Sequence, residues 1–170
     1  VDYRLAPSVR APSQLEDCYA ALRWLATGAS GLGIDAERIA IGGASAGGGL
    51  AAGLALLAHD RAELPVAFQL LVYPMIDDRT VVRRDHRVEG VRMWTPASNR
   101  YGWTSYLGCE PGSAGVSEYA APARRTDHAG LPPAWIGVGT LDLFYDEDVR
   151  YAQQLRAAGV CCTLDVVEGA

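Results

Sequence analysis

From Ile39 to Ala58 the chain carries a single polar side chain, Ser45, within an otherwise apolar and glycine-rich run. About 20 apolar residues are enough to span a bilayer, so length alone admits a membrane helix. The six glycines of the run argue against it. Gly42, Gly43, Gly47, Gly48 and Gly49 crowd around the serine and split the run into a short β-branched piece and an Ala/Leu piece. A strand, a tight turn and a buried helix explain it better than a bilayer does.

The turn, Gly43-Ala44-Ser45-Ala46-Gly47, matches G-x-S-x-G, and the spacing has a steric origin. A serine on a sharp, strained strand-to-helix turn has neighbours two residues away on either side that must come close to other backbone, which glycine permits. Such a turn lifts the hydroxyl clear of the sheet. It also aims the helix N-terminus, with the N–H groups of Ala46 and Gly47, at the place where an oxyanion would form. In a chain with 19 glycines the five residues alone also fit a purely structural turn. The preceding RIAIG and the following Ala/Leu helix supply the setting that the motif requires. A phosphate-binding loop competes for any glycine-rich strand-to-helix turn, but the Lys-Ser/Thr of a P-loop is missing, as is a G-x-G-x-x-G.

The flanking sequence alternates strand and helix signals. VDYRLAP reads as the end of a strand running into a proline-terminated loop. Ser13 and Glu16 have capping-box spacing, and Leu15, Tyr19, Leu22, Leu25 and Ala26 then share a helical face, closed by the segment Gly28 to Gly33. Arg38 to Gly42 predicts a short strand buried on both faces, and Gly47 to His59 a helix with Leu50, Leu54 and Leu57 in register. Phe68 to Tyr73, stopped by Pro74, and Trp135 to Gly139 are further apolar runs. Val149, Ala152, Leu155 and Arg156 follow at helical spacing up to Gly159, a suitable C′ residue, and Cys161 to Val167 is a last strand. The alternation predicts an α/β fold with a mostly parallel sheet and helices on both faces. Between Asp77 and about Leu131 the pattern gives way to an irregular, lid-like excursion, and long irregular connections are commonly binding loops.

At 170 residues the chain amounts to about one domain. Its net charge of −5, with no Lys/Arg block, argues against nucleic acid or an anionic membrane surface as a main partner, since both need a concentrated basic face. A small neutral or apolar substrate fits better. Cys161 and Cys162 are adjacent in a predicted strand, so their side chains point to opposite faces and cannot form an ordinary disulfide. With no C-x-x-C and no secretory signal in view, a reduced cytoplasmic compartment is the default; the chain begins at Val1, so a targeting segment could lie upstream.

These segments resemble one family. IAIGGASAGGGLAAGLAL is similar to the nucleophile elbow of the hormone-sensitive-lipase-like esterases, a branch of the α/β-hydrolase fold. VDYRLAP, LLVYPMID, the YLG at Tyr106 to Gly108, YAAPAR and GLPPAWIGVGTLDLFYDED agree with it in order and spacing along nearly the whole chain. Ala44 departs from the family, which usually has Asp in a GDSAGG string.

The resemblance implies hydrolysis of carboxylic esters, of short-chain acyl type, through an acyl-enzyme on Ser45, with no metal or cofactor. A serine needs a base, and the base an orienting carboxylate. Asp142 is the candidate: it follows the apolar run AWIGVG at the carboxyl end of a strand, and Asp142 to Glu147 resembles the family's D-x-x-x-D-E pattern, whose first Asp is the triad acid. Asp146, Glu147 and Asp148 read as the start of the next helix, where negative charge complements the dipole. The order Ser, acid, His leaves no base, because His59, His86 and His128 all precede Asp142. The resemblance places the histidine just beyond a segment like VVEGA, where this chain stops, and an oxyanion loop H-G-G-G upstream of VDYRLAP. The chain therefore reads as a single partial α/β-hydrolase domain, residues 1–170, cut on both sides of its site. Alone it is expected to be inactive, and marginally stable or aggregating. Trp94, Tyr101, Trp103 and Tyr106 are candidates to line an acyl or alcohol site. A second reading is a receptor-like member of the same fold that only holds a small ligand. The oligomeric state is not indicated.

Overall fold

The structure, a computed structural model, describes residues 1–83 and 93–170; His86 lies outside the described residues. Strands β1 (Ala40–Ala44), β2 (Phe68–Val72), β3 (Ala134–Gly139) and β4 (Cys162–Val167) form one parallel sheet in the order β1-β2-β3-β4. Helix α3 (Ala46–Arg61) connects β1 to β2, and α5 (Tyr145–Ala157) connects β3 to β4. Preceding β1 are α1 (Ser13–Thr27) and the single turn α2 (Ala29–Leu32), and between β2 and β3 lies α4 (Pro96–Leu107).

The alternation of side chains along each strand puts Leu71, Ile136 and Leu164 in one row across the sheet. That row packs under Ala52 and Leu56 of α3 and under Tyr151, Ala152 and Leu155 of α5. A second cluster joins Leu15, Tyr19 and Leu22 of α1 to Leu50, Leu54 and Leu57 of α3 and to Ile41. Helices α1, α3 and α5 thus share one face. On the other, Leu70 is 45% and Val167 55% exposed. The expectation of helices on both faces is corrected for the described residues, and the reason is topological. Each crossover steps one strand in the same direction, and crossovers of one hand then place their helices on one side.

Three local expectations also change. VDYRLAP forms no strand; Tyr3 packs against the second cluster, and Arg4 is tied to α1 through Asp17, which accepts from the Arg4 backbone N–H (3.1 Å) and guanidinium (2.7 and 2.9 Å). Ser13 is not a cap, because Pro12 takes that position and no side chain caps α1; Glu16 turns instead to Arg61, 2.8 Å away. The first strand starts later than Arg38, since Asp35 accepts from the Glu37 N–H and winds Ala36–Arg38 into a 3-10 turn. Of the residues in β1 only Ile41 is buried, so the strand is not covered on both faces. The helix signal at the other end holds: α5 stops at Ala157 and Gly159 takes φ +82°.

The stretch after Asp77 is more regular than its composition implies. Thr95 caps α4 by accepting from the Ser98 N–H at 3.2 Å, Pro96 occupies the first turn, and Gly108 ends it at φ 71°. The cap, the proline and the closing glycine are visible in the sequence, but the apolar residues between them do not repeat as a helical stripe. Among the described residues no helix is long and apolar enough to cross a membrane. All four cysteines are free.

Candidate active site

Ser45 sits between β1 and α3 at φ 54°, ψ −122°. A non-glycine residue in such a conformation stores about 1–3 kcal/mol and persists only where its surroundings impose it. Here the backbone is held on both sides: the Ser45 N–H donates to Val72 O at 2.9 Å, and its carbonyl accepts from the N–H groups of Gly49 and Met75, each at 3.0 Å. A Cβ on Gly43 would lie 2.3 Å from the Gly47 carbonyl oxygen, and one on Gly49 only 2.1 Å from that of Met75. A Cβ on Gly47 would meet nothing within 4 Å. The steric argument for glycine at both ends of the motif therefore holds at Gly43, and Gly47 matters as the backbone that Gly43 approaches. The N–H groups of Ala46 and Gly47 begin α3 and have no acceptor within the helix. They carry the positive end of its dipole.

A cavity of about 310 Å³ opens beside the serine. Ser45 and Ala46 line it with Leu50, Met75, Trp94, Trp103 and Tyr106. Three of the four aromatics expected at such a site are there. Tyr101 is not among them, being 68% exposed. Gly47 faces a different groove, along the edge of β1. A larger cleft of about 510 Å³ lies at the opposite, amino end of the sheet, between His59, Glu63 and Pro132. It holds no serine or cysteine nucleophile.

Asp142 follows β3 by three residues. Its Oδ1 accepts from the Phe144 N–H at 2.8 Å, and its own N–H donates to Gly139 O at 3.2 Å. Burial raises the carboxyl pKa, and the Phe144 hydrogen bond works against that rise. Because the strands are parallel, Ser45 and Asp142 leave the sheet at the same carboxyl edge. They are two strand positions apart, about 10 Å of backbone. Asp142 does not line the cavity itself. Ala170 lies at the same edge, its carbonyl accepting from the Leu141 N–H at 2.7 Å.

Neither described histidine is near the serine. His59 is exposed, with its ring against Gly130. His128 is buried, stands edge-on to Tyr151 at 5.4 Å between ring centroids, and is pushed toward its neutral form by burial.

Asp146, Glu147 and Asp148 fall in the first turn of α5, as expected, and Glu147 and Asp148 are also buried. Glu147 is fully buried: Oε1 accepts from the N–H groups of Ile76 (2.8 Å) and Asp77 (3.1 Å), and Oε2 meets the Thr80 hydroxyl. It ties the loop after β2 to the helix after Asp142. Asp78, also fully buried, is clamped by Arg124 at 2.6 and 2.9 Å. Asp148 is buried with neither oxygen hydrogen-bonded. Burial, then Glu147 and Asp142, push its pKa well up.

Burial pushes Glu147 up to about 8. Between its unfolded value of 4.5 and about 8 the folded state holds the proton more tightly, so this group's contribution to stability is complete below 4.5 and lost as pH rises through 8. Glu147→Gln imitates the protonated acid. Its stability relative to wild type is expected to rise between pH 5 and pH 8 by an amount on the order of a few kcal/mol. Urea melts at the two pH values read this directly, and a difference that does not change with pH contradicts it.

A model of the alpha/beta hydrolase fold family matches residues 1–170. The chain belongs to that family, in its hormone-sensitive-lipase-like esterase branch. This alpha/beta hydrolase chain is 38% identical over 165 residues to Esterase LipI of Mycobacterium tuberculosis, covering 94% of this chain and 50% of that protein. It is 35% identical over 181 residues to the ethyl acetate hydrolase of Pseudomonas putida, covering 99% and 53%. Among solved structures, a bacterial heroin esterase superposes with a TM-score of 0.91 at 45% identity, covering 96% of this chain and 53% of that one. The alpha/beta hydrolase chain thus spans about half the length of the relatives it matches.

Proposed function

We propose that the protein containing this chain hydrolyses carboxylic esters through an acyl-enzyme on Ser45. The observation that carries the reading is the imposed backbone of Ser45, at φ 54°, which projects a serine from the carboxyl edge of the sheet into an apolar cavity beside a helix N-terminus. The hydroxyl attacks the ester carbonyl. The Ala46 N–H, with Gly47 behind it, receives the developing oxyanion, a contribution typically worth 10²–10³ in rate. Asp142 orients the histidine that takes the serine proton and returns it to the leaving alcohol. That histidine belongs beyond Ala170, whose hydrogen bond to Leu141 brings the end of the chain next to Asp142. No step requires a metal or cofactor. The small cavity favours short-chain acyl esters, as does the ethyl acetate hydrolase among the relatives.

An ethyl fluorophosphonate probe tests this, because only an activated serine reacts with it. The complete polypeptide is expected to be labelled at Ser45, as located by peptide mass spectrometry. Ligand binding without labelling would favour the receptor-like reading instead.

A further inference from the structure

The walls of the cavity are not equally fixed. Trp103 is 1% exposed and packed among Met75, Val116, Ala121 and Phe144, so it cannot move without disturbing a core cluster. Trp94 is 36% exposed, with the cavity on one side and solvent on the other. Two contacts place its ring. The indole N–H donates to Asn99 Oδ1 at 3.1 Å, and Asn99 is itself buried in α4. The ring lies over Gly102, where a Cβ would come within 2.9 Å of Cζ2 and 3.3 Å of Cη2. A glycine in mid-helix weakens the helix relative to alanine; here it leaves the space that the ring fills.

At about 30 Å³ per water-sized group, a cavity of 310 Å³ holds on the order of ten non-hydrogen atoms, the ester group included. From this geometry we infer that Trp94, seated on Gly102 and tethered to Asn99, is the wall that fixes how long a hydrocarbon arm of the ester the cavity admits. The class selected is that of small esters with a short hydrocarbon arm. The inference rests on the hydrolase reading for the word ester, and on the cavity alone for the length limit. Removing the ring opens the cavity outward. Gly102 itself lines the cavity, so a methyl group there, pressed against the ring, takes up part of its space.

The test is binding of straight-chain methyl ketones of three to ten carbons, neutral and non-hydrolysable ester isosteres, measured on the protein by saturation-transfer NMR titration. In the wild type Kd is expected to fall about fourfold per added methylene up to a break length, beyond which it no longer improves. Trp94→Ala is expected to move the break at least two carbons longer, and Gly102→Ala to move it shorter. Trp94→Phe, which keeps a ring without the N–H, is expected to fall between wild type and Trp94→Ala. If Gly102→Ala does not fold, the two Trp94 variants carry the test. The same break length in wild type and Trp94→Ala overturns the inference, as does absence of ketone binding in every variant. Ethyl fluorophosphonate labelling separates the two proposals. A ketone series that shifts without labelling of Ser45 sinks the hydrolase reading and leaves the role of Trp94 standing; labelling with an unmoved break does the reverse.

Discussion

The Ser45→Ala variant of the complete polypeptide is expected to hydrolyse p-nitrophenyl acetate about 10⁶-fold more slowly than the unaltered protein, the scale of loss when a serine nucleophile is removed. The effect should lie in kcat, because the missing oxygen leaves the apolar lining of the cavity intact. A chain ending at Ala170 is expected to show little or no turnover even with Ser45 present: the two described histidines, His59 and His128, lie away from the serine, and the order Ser, acid, His puts the base after Asp142. Substantial turnover by this 170-residue chain, abolished by Ser45→Ala, would show that the base is drawn from within it.

The second large effect is structural and can be read without substrate. Gly43→Ala and Gly49→Ala each push a methyl carbon to within 2.3 Å of a backbone oxygen that cannot turn away. Each is expected to cost about 2–3 kcal/mol or more, read as a lowered Tm of the complete polypeptide. Gly47→Ala introduces a methyl group into open space and is expected to be neutral or slightly stabilising, since alanine is the better helix former. The three melting curves form an internally controlled set. Equal losses at positions 43 and 47 would mean that the turn is not packed as described.

What could be read from the sequence was local. The serine turn announced itself because a strand, a glycine cluster and an Ala/Leu helix are contiguous, and β2, β3 and α5 because each carries its own periodicity and stop signal. Glu147 could not be read that way. Its partners Ile76 and Asp77 are 71 and 70 residues away, so nothing next to it in sequence distinguishes a buried anchor from a helix-dipole carboxylate. The one-sided placement of helices escaped for a similar reason, because it depends on the strand order, which periodicity does not encode. Helix α4 had its cap and stop signals but no apolar stripe. Trp94, Trp103 and Tyr106 were identified as a lining without any means of telling that Tyr101, in the same helix as the last two, turns outward.

Helix α3 is buried along its length from Gly48 to Ala58, packed between the sheet and α1. Local opening of a segment requires only the contacts around that segment to be lost, and for α3 those contacts belong to both main clusters of the core. Freeing it therefore takes nearly as much free energy as unfolding the described part of the molecule. The conformation of Ser45 inherits that protection. Its backbone hydrogen bonds to Val72, Gly49 and Met75 join the turn to that protected region, so the turn keeps its shape for as long as the core survives.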